Sequence, residues 1–122
     1  MHILFFLGLL SLVTPIASAT ELAITSPANG SEVMLNSNNP VTVKYQVAFD
    51  GDDHHLFLYL DNHKIQQLRQ KPGYYVFDRK MPLGNHEICL KVAYQDHQLT
   101  GQQQCIKVTF LSPEHINYGN GY

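Results

Sequence analysis

HEICLKVAYQDHQLTGQQQCIKVTF, residues 86–110, is the stretch whose reading decides the fold. Apolar residues alternate with polar ones on both sides of a polar centre: Ile88, Leu90, Val92 and Tyr94 before it, Ile106, Val108 and Phe110 after it. A period of two marks half-buried strands, because successive side chains point to opposite faces. Antiparallel pairing about a turn near His97 sets Cys89 opposite Cys105, Ile88 opposite Ile106 and His86 opposite Val108. The apolar set occupies one parity and the cysteines the other, so hydrophobic pattern and cysteine positions predict the same register. Directly opposed residues bring Cα atoms to about 4.5–5.5 Å, within disulfide range. The bridge is expected on the outer face, where closing a loop of about 15 residues contributes up to roughly 3 kcal/mol in the chain-entropy model.

Upstream, the same alternation runs through Val41 to Phe49, with Val41, Val43, Tyr45, Val47 and Phe49 on one face. Shorter strands are predicted over Leu22–Ser26, Ser31–Leu35, His55–Leu60, Lys64–Leu68 and Tyr74–Lys80. Turn clusters separate them: Pro27-Ala28-Asn29-Gly30, Asn36 to Pro40, Asp50 to His54, Asp61-Asn62-His63 and Lys71-Pro72-Gly73. No 3.6-residue pattern persists beyond two turns, so the fold class is all-β, a sandwich of about seven strands. The sequence has no Trp, and its cysteines join neighbouring strands, so the antibody-type Cys–Trp–Cys core is absent.

The 122 residues allow one ordinary domain. Met1 to Ala19 contains an apolar run, Ile3 to Val13, followed by Pro15 and the small-residue sequence Ala17-Ser18-Ala19. That order reads as a secretory signal peptide over residues 1–19, although its start carries no Lys or Arg. It leaves a sandwich domain over residues 20–113 and a flexible C-terminal tail over 114–122, in a protein expected in the periplasm or secreted. Two cysteines in an oxidising compartment fit one disulfide, and C-x15-C is not a metal-finger spacing. The net charge of −2 is dispersed, which argues against nucleic-acid binding.

The run ITSPANGSEV, Ile24 to Val33, resembles the opening of bacterial immunoglobulin-like modules. LYLDNHKI (58–65), MPLGNHEICLKV (81–92) and VTFLSP (108–113) resemble their central strand and turn, their penultimate strand and their closing strand. The pattern is similar to the C-terminal module of penicillin-binding protein 1C type proteins. The resemblance implies an immunoglobulin-like antiparallel β-sandwich without catalytic function.

The densest polar cluster is Asp50, Asp52, Asp53, His54 and His55, with His63 close by if the strand hairpins back. These six are the candidate partner-binding residues, because a sandwich spends its inner faces on the core and places specificity in end loops or a free strand edge. An envelope protein or a polysaccharide is the expected partner, with the edge strand Lys64–Leu68 as a second contact. Carboxylates and imidazoles could alternatively hold copper or zinc, but DGDDHH lacks the full calcium-loop pattern, and the histidines and Met34 and Met81 are scattered. The sequence therefore assigns no metal residues and implies no cofactor. A third reading, an inhibitor of an exported enzyme, rests on fold alone. His86 is expected to be structural, donating a hydrogen bond at the sandwich edge. No nucleophile motif is present and both cysteines are expected to be oxidised, so the chain is not expected to be an enzyme.

Overall fold

The computed structural model describes residues 20–36, 38–51 and 54–113. The signal-peptide reading of residues 1–19, the tail 114–122 and the candidates Asp52 and Asp53 lie outside them.

Eight strands follow one another: β1 (Glu21–Ser26), β2 (Ser31–Met34), β3 (Thr42–Ala48), β4 (His54–Leu60), β5 (His63–Leu68), β6 (Tyr74–Val76), β7 (Gly84–Tyr94) and β8 (Leu99–Leu111). They form a three-stranded sheet, β1-β3-β6, facing a five-stranded sheet, β2-β8-β7-β4-β5. The sandwich is not wholly antiparallel, because β2 runs parallel to β8, Val33 beside Phe110. The chain leaves β1 through the Pro27–Gly30 turn and so reaches the second sheet in the same direction as β8. Gly30, at φ +83°, donates its N–H to the Lys107 carbonyl, while Asn29 Oδ1 accepts the Lys107 N–H at 2.8 Å. The β6 strand is shorter than the alternation suggests. Phe77 turns inward, donates its N–H to the Val41 carbonyl at 2.9 Å, and ends the ladder.

The core contains the inward parity of both sheets: Val43, Tyr45 and Val47 of β3, Leu56, Leu58 and Leu60 of β4, Ile88, Leu90 and Val92 of β7, and Ile106, Val108 and Phe110 of β8. Each such side chain, fully buried, contributes on the order of 1.5–3 kcal/mol. Cys89 faces Cys105 and is bonded to it, on the outer parity of β7 and β8. The predicted register holds from His86 to Lys91 and then slips: Ala93 pairs with Leu99. A three-residue loop causes the slip. The Tyr94 N–H bonds the Gln98 carbonyl, and His97 takes φ +73°, the left-handed position expected of this loop. The slip is two residues, so no side chain changes face.

Tyr45 reaches through the core to the β5–β6 connection. Its hydroxyl donates to the Arg69 carbonyl at 2.6 Å, and burial raises the pKa of the phenol. Gly73 lies against the same strand, where an added Cβ would be 3.2 Å from the Tyr45 carbonyl.

Candidate functional site

Strand alternation settles first what the His54-His55 pair can do. Leu56, Leu58 and Leu60 face the core, so His54 shares their parity and His55 points to the outer face of the five-stranded sheet. Neighbouring imidazoles on opposite faces cannot chelate one ion. His63 is also remote. It pairs with Leu60, whereas Leu68 pairs with Leu56, so β5 carries His63 to the far end of β4, about 20 Å from the Asp50 loop at 3.3 Å per residue. The expectation that His63 lies beside that loop is corrected accordingly.

The structure brings other residues to the Asp50 end. The β3–β4 loop, the β5–β6 connection and the β7–β8 turn share this end of the sandwich. The Asp50 N–H donates to Thr20 Oγ1 at 3.0 Å, and Gln102 Nε2 donates to the Thr20 carbonyl, tying the loop to β8. His54 stacks on Phe49, centroids 6.3 Å apart and planes at 8°, and meets Tyr94 at 5.8 Å with the planes tilted by 39°. On the outer side, His97 meets His55 edge-on at 4.9 Å and Phe57 at 5.4 Å. Gln67 Nε2 donates to His55 Nδ1 at 2.9 Å, which puts the proton of a neutral His55 ring on Nε2. Tyr94 and Leu99 stand about half exposed at this rim. Sequence reasoning missed Tyr94 as the partner of His54 and His97 as the partner of His55. The turn at His97 was legible, but its neighbour depends on strand order.

The opposite end holds a different kind of histidine. His86 Nδ1 donates to Asp61 Oδ2 at 2.5 Å and His86 Nε2 to the Leu83 carbonyl at 3.0 Å, with the ring stacked 5.4 Å from Phe110. Both nitrogens face acceptors, so the charged imidazolium is the form this site satisfies. Burial alone would lower the His86 pKa, but the Asp61 and Leu83 hydrogen bonds and the Asp61 charge together raise it. For Asp61 burial works upward and is outweighed by the Glu87 N–H, by the His86 hydrogen bond and by the His86 and His63 charges, so its pKa is lowered. Asp61 and Asn62, both with positive φ, form the two-residue turn between β4 and β5, and Asp61 Oδ1 accepts the Glu87 N–H at 2.9 Å.

Among the described residues, the group of metal-type ligands within reach of one another is Glu87, Cys89 and Cys105. Both sulfurs are in the disulfide, so they offer no thiolate. The described histidines, His54, His55, His63, His86 and His97, divide between the two ends, and Met81 is buried in the core while Met34 lies on β2. No helix among the described residues is long and apolar enough to cross a membrane.

No protein-family model and no curated protein sequence matches the chain. Among solved structures it is similar to the fibronectin(III)-like modules of Clostridium thermocellum CbhA, with TM-score 0.61 and 17% identity over 88% of this chain. The chain spans 54% of that structure's length. Weaker likenesses are to the extracellular domain of a putative one-component system from B. thetaiotaomicron, with TM-score 0.48, 10% identity, and coverage of 83% of this chain and 16% of that one. Another is to SGBP-B of a Bacteroides ovatus mixed-linkage glucan utilization locus, with TM-score 0.45, 12% identity, and coverage of 77% and 25%. The fold is that of a fibronectin(III)-like, immunoglobulin-like β-sandwich, and at these identities the likeness speaks of fold alone.

Proposed function

We propose that residues 20–113 form an exported, non-catalytic binding module of the cell envelope, which meets its partner with the sandwich end built from the Asp50 loop and the β7–β8 turn. The carrying observation is the rim itself: His54 meets Tyr94 on the inner side and His55 meets His97 on the outer side of the same end, with Tyr94 and Leu99 left exposed there. Exposed aromatic and apolar side chains held by a rigid sheet are the usual anchors of an interface. Export is supported by the Cys89–Cys105 disulfide, which persists in oxidising compartments, and by the signal-peptide pattern of residues 1–19. A non-catalytic role is supported by the pairing of His55, His63 and His86 with Gln67, Asp61 and Leu83 rather than with a hydroxyl nucleophile. The motif resemblance to the penicillin-binding protein 1C module fits the same reading.

The test is a pull-down from the native envelope fraction with the wild-type chain and with a variant carrying Asp50, His54, Tyr94 and His97 replaced by Ser. A partner recovered by the wild type and lost by the variant is the expected result. Equal recovery of every partner removes this end as the contact, and hydrolytic activity of the purified protein removes the non-catalytic reading.

A further inference from the structure

Phe57 lies between Leu56 and Leu58 on β4, so its side chain stands on the outer face of the five-stranded sheet, yet it is only 3% exposed. Part of its cover is a cation. Lys64 Nζ sits 4.2 Å from the ring centroid, and His97 closes one side of the ring. Two residues further along β4, Tyr59 repeats the arrangement, with Lys91 Nζ 4.3 Å from its ring. Register makes the pairs diagonal. Lys64 is opposite Tyr59 but leans over Phe57, and Lys91 is opposite Phe57 but leans over Tyr59. The shift between Leu58 and Tyr59 allows this: Lys64 stays on the outer face while Ile65 packs against the core. Lys91 Nζ donates to Asn62 Oδ1 at 3.1 Å, and neither ammonium has a carboxylate partner among the described residues. Two acids of the sheet share this face: Glu87 is opposite Lys107, and Glu32 stands on the far edge strand opposite Thr109.

We propose that this face, below the loop end, binds an acidic polysaccharide, a polymer of sugars bearing carboxylates. The inference rests on reading the chain as a binding module, but not on the loop end being the contact. A sugar acid carries an apolar C–H face and a carboxylate on the same ring, and each Lys–aromatic pair offers the complement of both. At rest each ammonium is held over its ring by an attraction of about 0.5–2 kcal/mol. An arriving carboxylate draws the ammonium into a charge-assisted hydrogen bond, which is the stronger contact, and uncovers the ring for the sugar's C–H face. A neutral glycan offers the ammonium only hydroxyl and ether oxygens, weaker acceptors than a carboxylate, in exchange for the cation–ring contact it must displace. The two pairs lie about 7 Å apart along β4, and this spacing addresses successive units of a polymer rather than one small anion.

The probe is polygalacturonate, cast into native gels, with neutral pullulan as the control and polyglutamate as the acidic peptide. The wild-type chain is expected to be retarded by polygalacturonate alone. Lys64→Gln with Lys91→Gln should weaken the retardation by about tenfold or more, and Lys64→Arg with Lys91→Arg should largely keep it. Tyr59→Leu, which keeps every charge, should weaken it about fivefold. A retained Cys89–Cys105 bridge and an unchanged melting temperature certify each variant as folded. No retardation of the wild type, equal retardation by pullulan, or insensitivity to both the lysine and Tyr59 variants overturns the proposal. Retardation by polyglutamate equal to that by polygalacturonate also overturns it, in favour of an acidic peptide. A variant with Asp50, His54 and Tyr94 replaced by Ser, which keeps His97 against Phe57, should run like the wild type here, so this result and the envelope pull-down can fail separately.

Discussion

The two ends of β4 use histidine in opposite ways. At the Asp61 end, His86 is hidden, spends both ring nitrogens on acceptors and locks a turn to the start of β7. At the His54 end, three imidazoles lie among aromatic rings, with one side-chain hydrogen bond, His55 to Gln67, and with exposed Tyr94 and Leu99 at the rim. The difference teaches how a structural histidine is told from a presented one. A satisfied imidazole contributes its hydrogen bonds to stability, while rings packed at a rim beside exposed Tyr94 and Leu99 contribute area to a partner. Mutations should therefore separate the ends, one acting on stability and the other on binding.

The largest effect belongs to neither end. Replacing Cys89 and Cys105 by Ser removes the closed loop between them and should cost about 3 kcal/mol, a fall in melting temperature of roughly 15 °C for a domain of this size. Thermal unfolding with and without reductant measures it, and coincident curves would show that the β7–β8 hairpin holds both ends without its bridge.

Next comes the locked end. Asp61→Asn should destabilise by about 1 kcal/mol, a figure kept low because the Asp61 side chain is 42% exposed. His86→Gln should cost the same and change the pH response. The His86 pKa is raised above 6.5 in the folded state, so its contribution is fully present below pH 6.5 and is lost as pH rises through the folded-state value. Asp61 works from the other side. Its pKa is lowered from 3.8, so its contribution is present above pH 3.8 and is lost as pH falls through the folded-state value. Wild-type stability should thus decline as the pH is raised from mild acid through neutrality, and His86→Gln should flatten that decline. A wild-type profile unchanged by the substitution would break the contrast between the ends.

The smallest effect on stability is expected at the rim. His97→Gly relieves a left-handed residue at φ +73° while adding backbone freedom to the unfolded chain, and the two nearly cancel, within about 0.5 kcal/mol. Tyr94→Ser, at a half-exposed position, should also stay within about 0.5 kcal/mol. A loss above 2 kcal/mol from either would make the rim a structural cluster like the one around His86.

Much of this was legible in the sequence because a period of two, once anchored by two cysteines, leaves little freedom. Ile88, Leu90 and Val92 could face only one way if Cys89 was to meet Cys105. The parallel β2–β8 pairing was not legible, since a four-residue strand carries no sign of its direction. Nor was the distance between the Asp50 loop and His63, because a hairpin returns the far end of β5 to the start of β4, not the near end. The Asp61–His86 bond joins residues 25 apart across strand order. The same is true of Tyr94 beside His54. Both needed the β4–β7 pairing, which the sequence does not state.

The most direct measurement is recovery of an envelope partner by two variants side by side. Tyr94→Ser with His97→Gly should lose the partner at unchanged melting temperature, while Asp61→Asn with His86→Gln should keep it at a lower one. Loss of the partner from the second variant while it is still folded, with retention by the first, would place the contact at the Asp61 end and contradict the account.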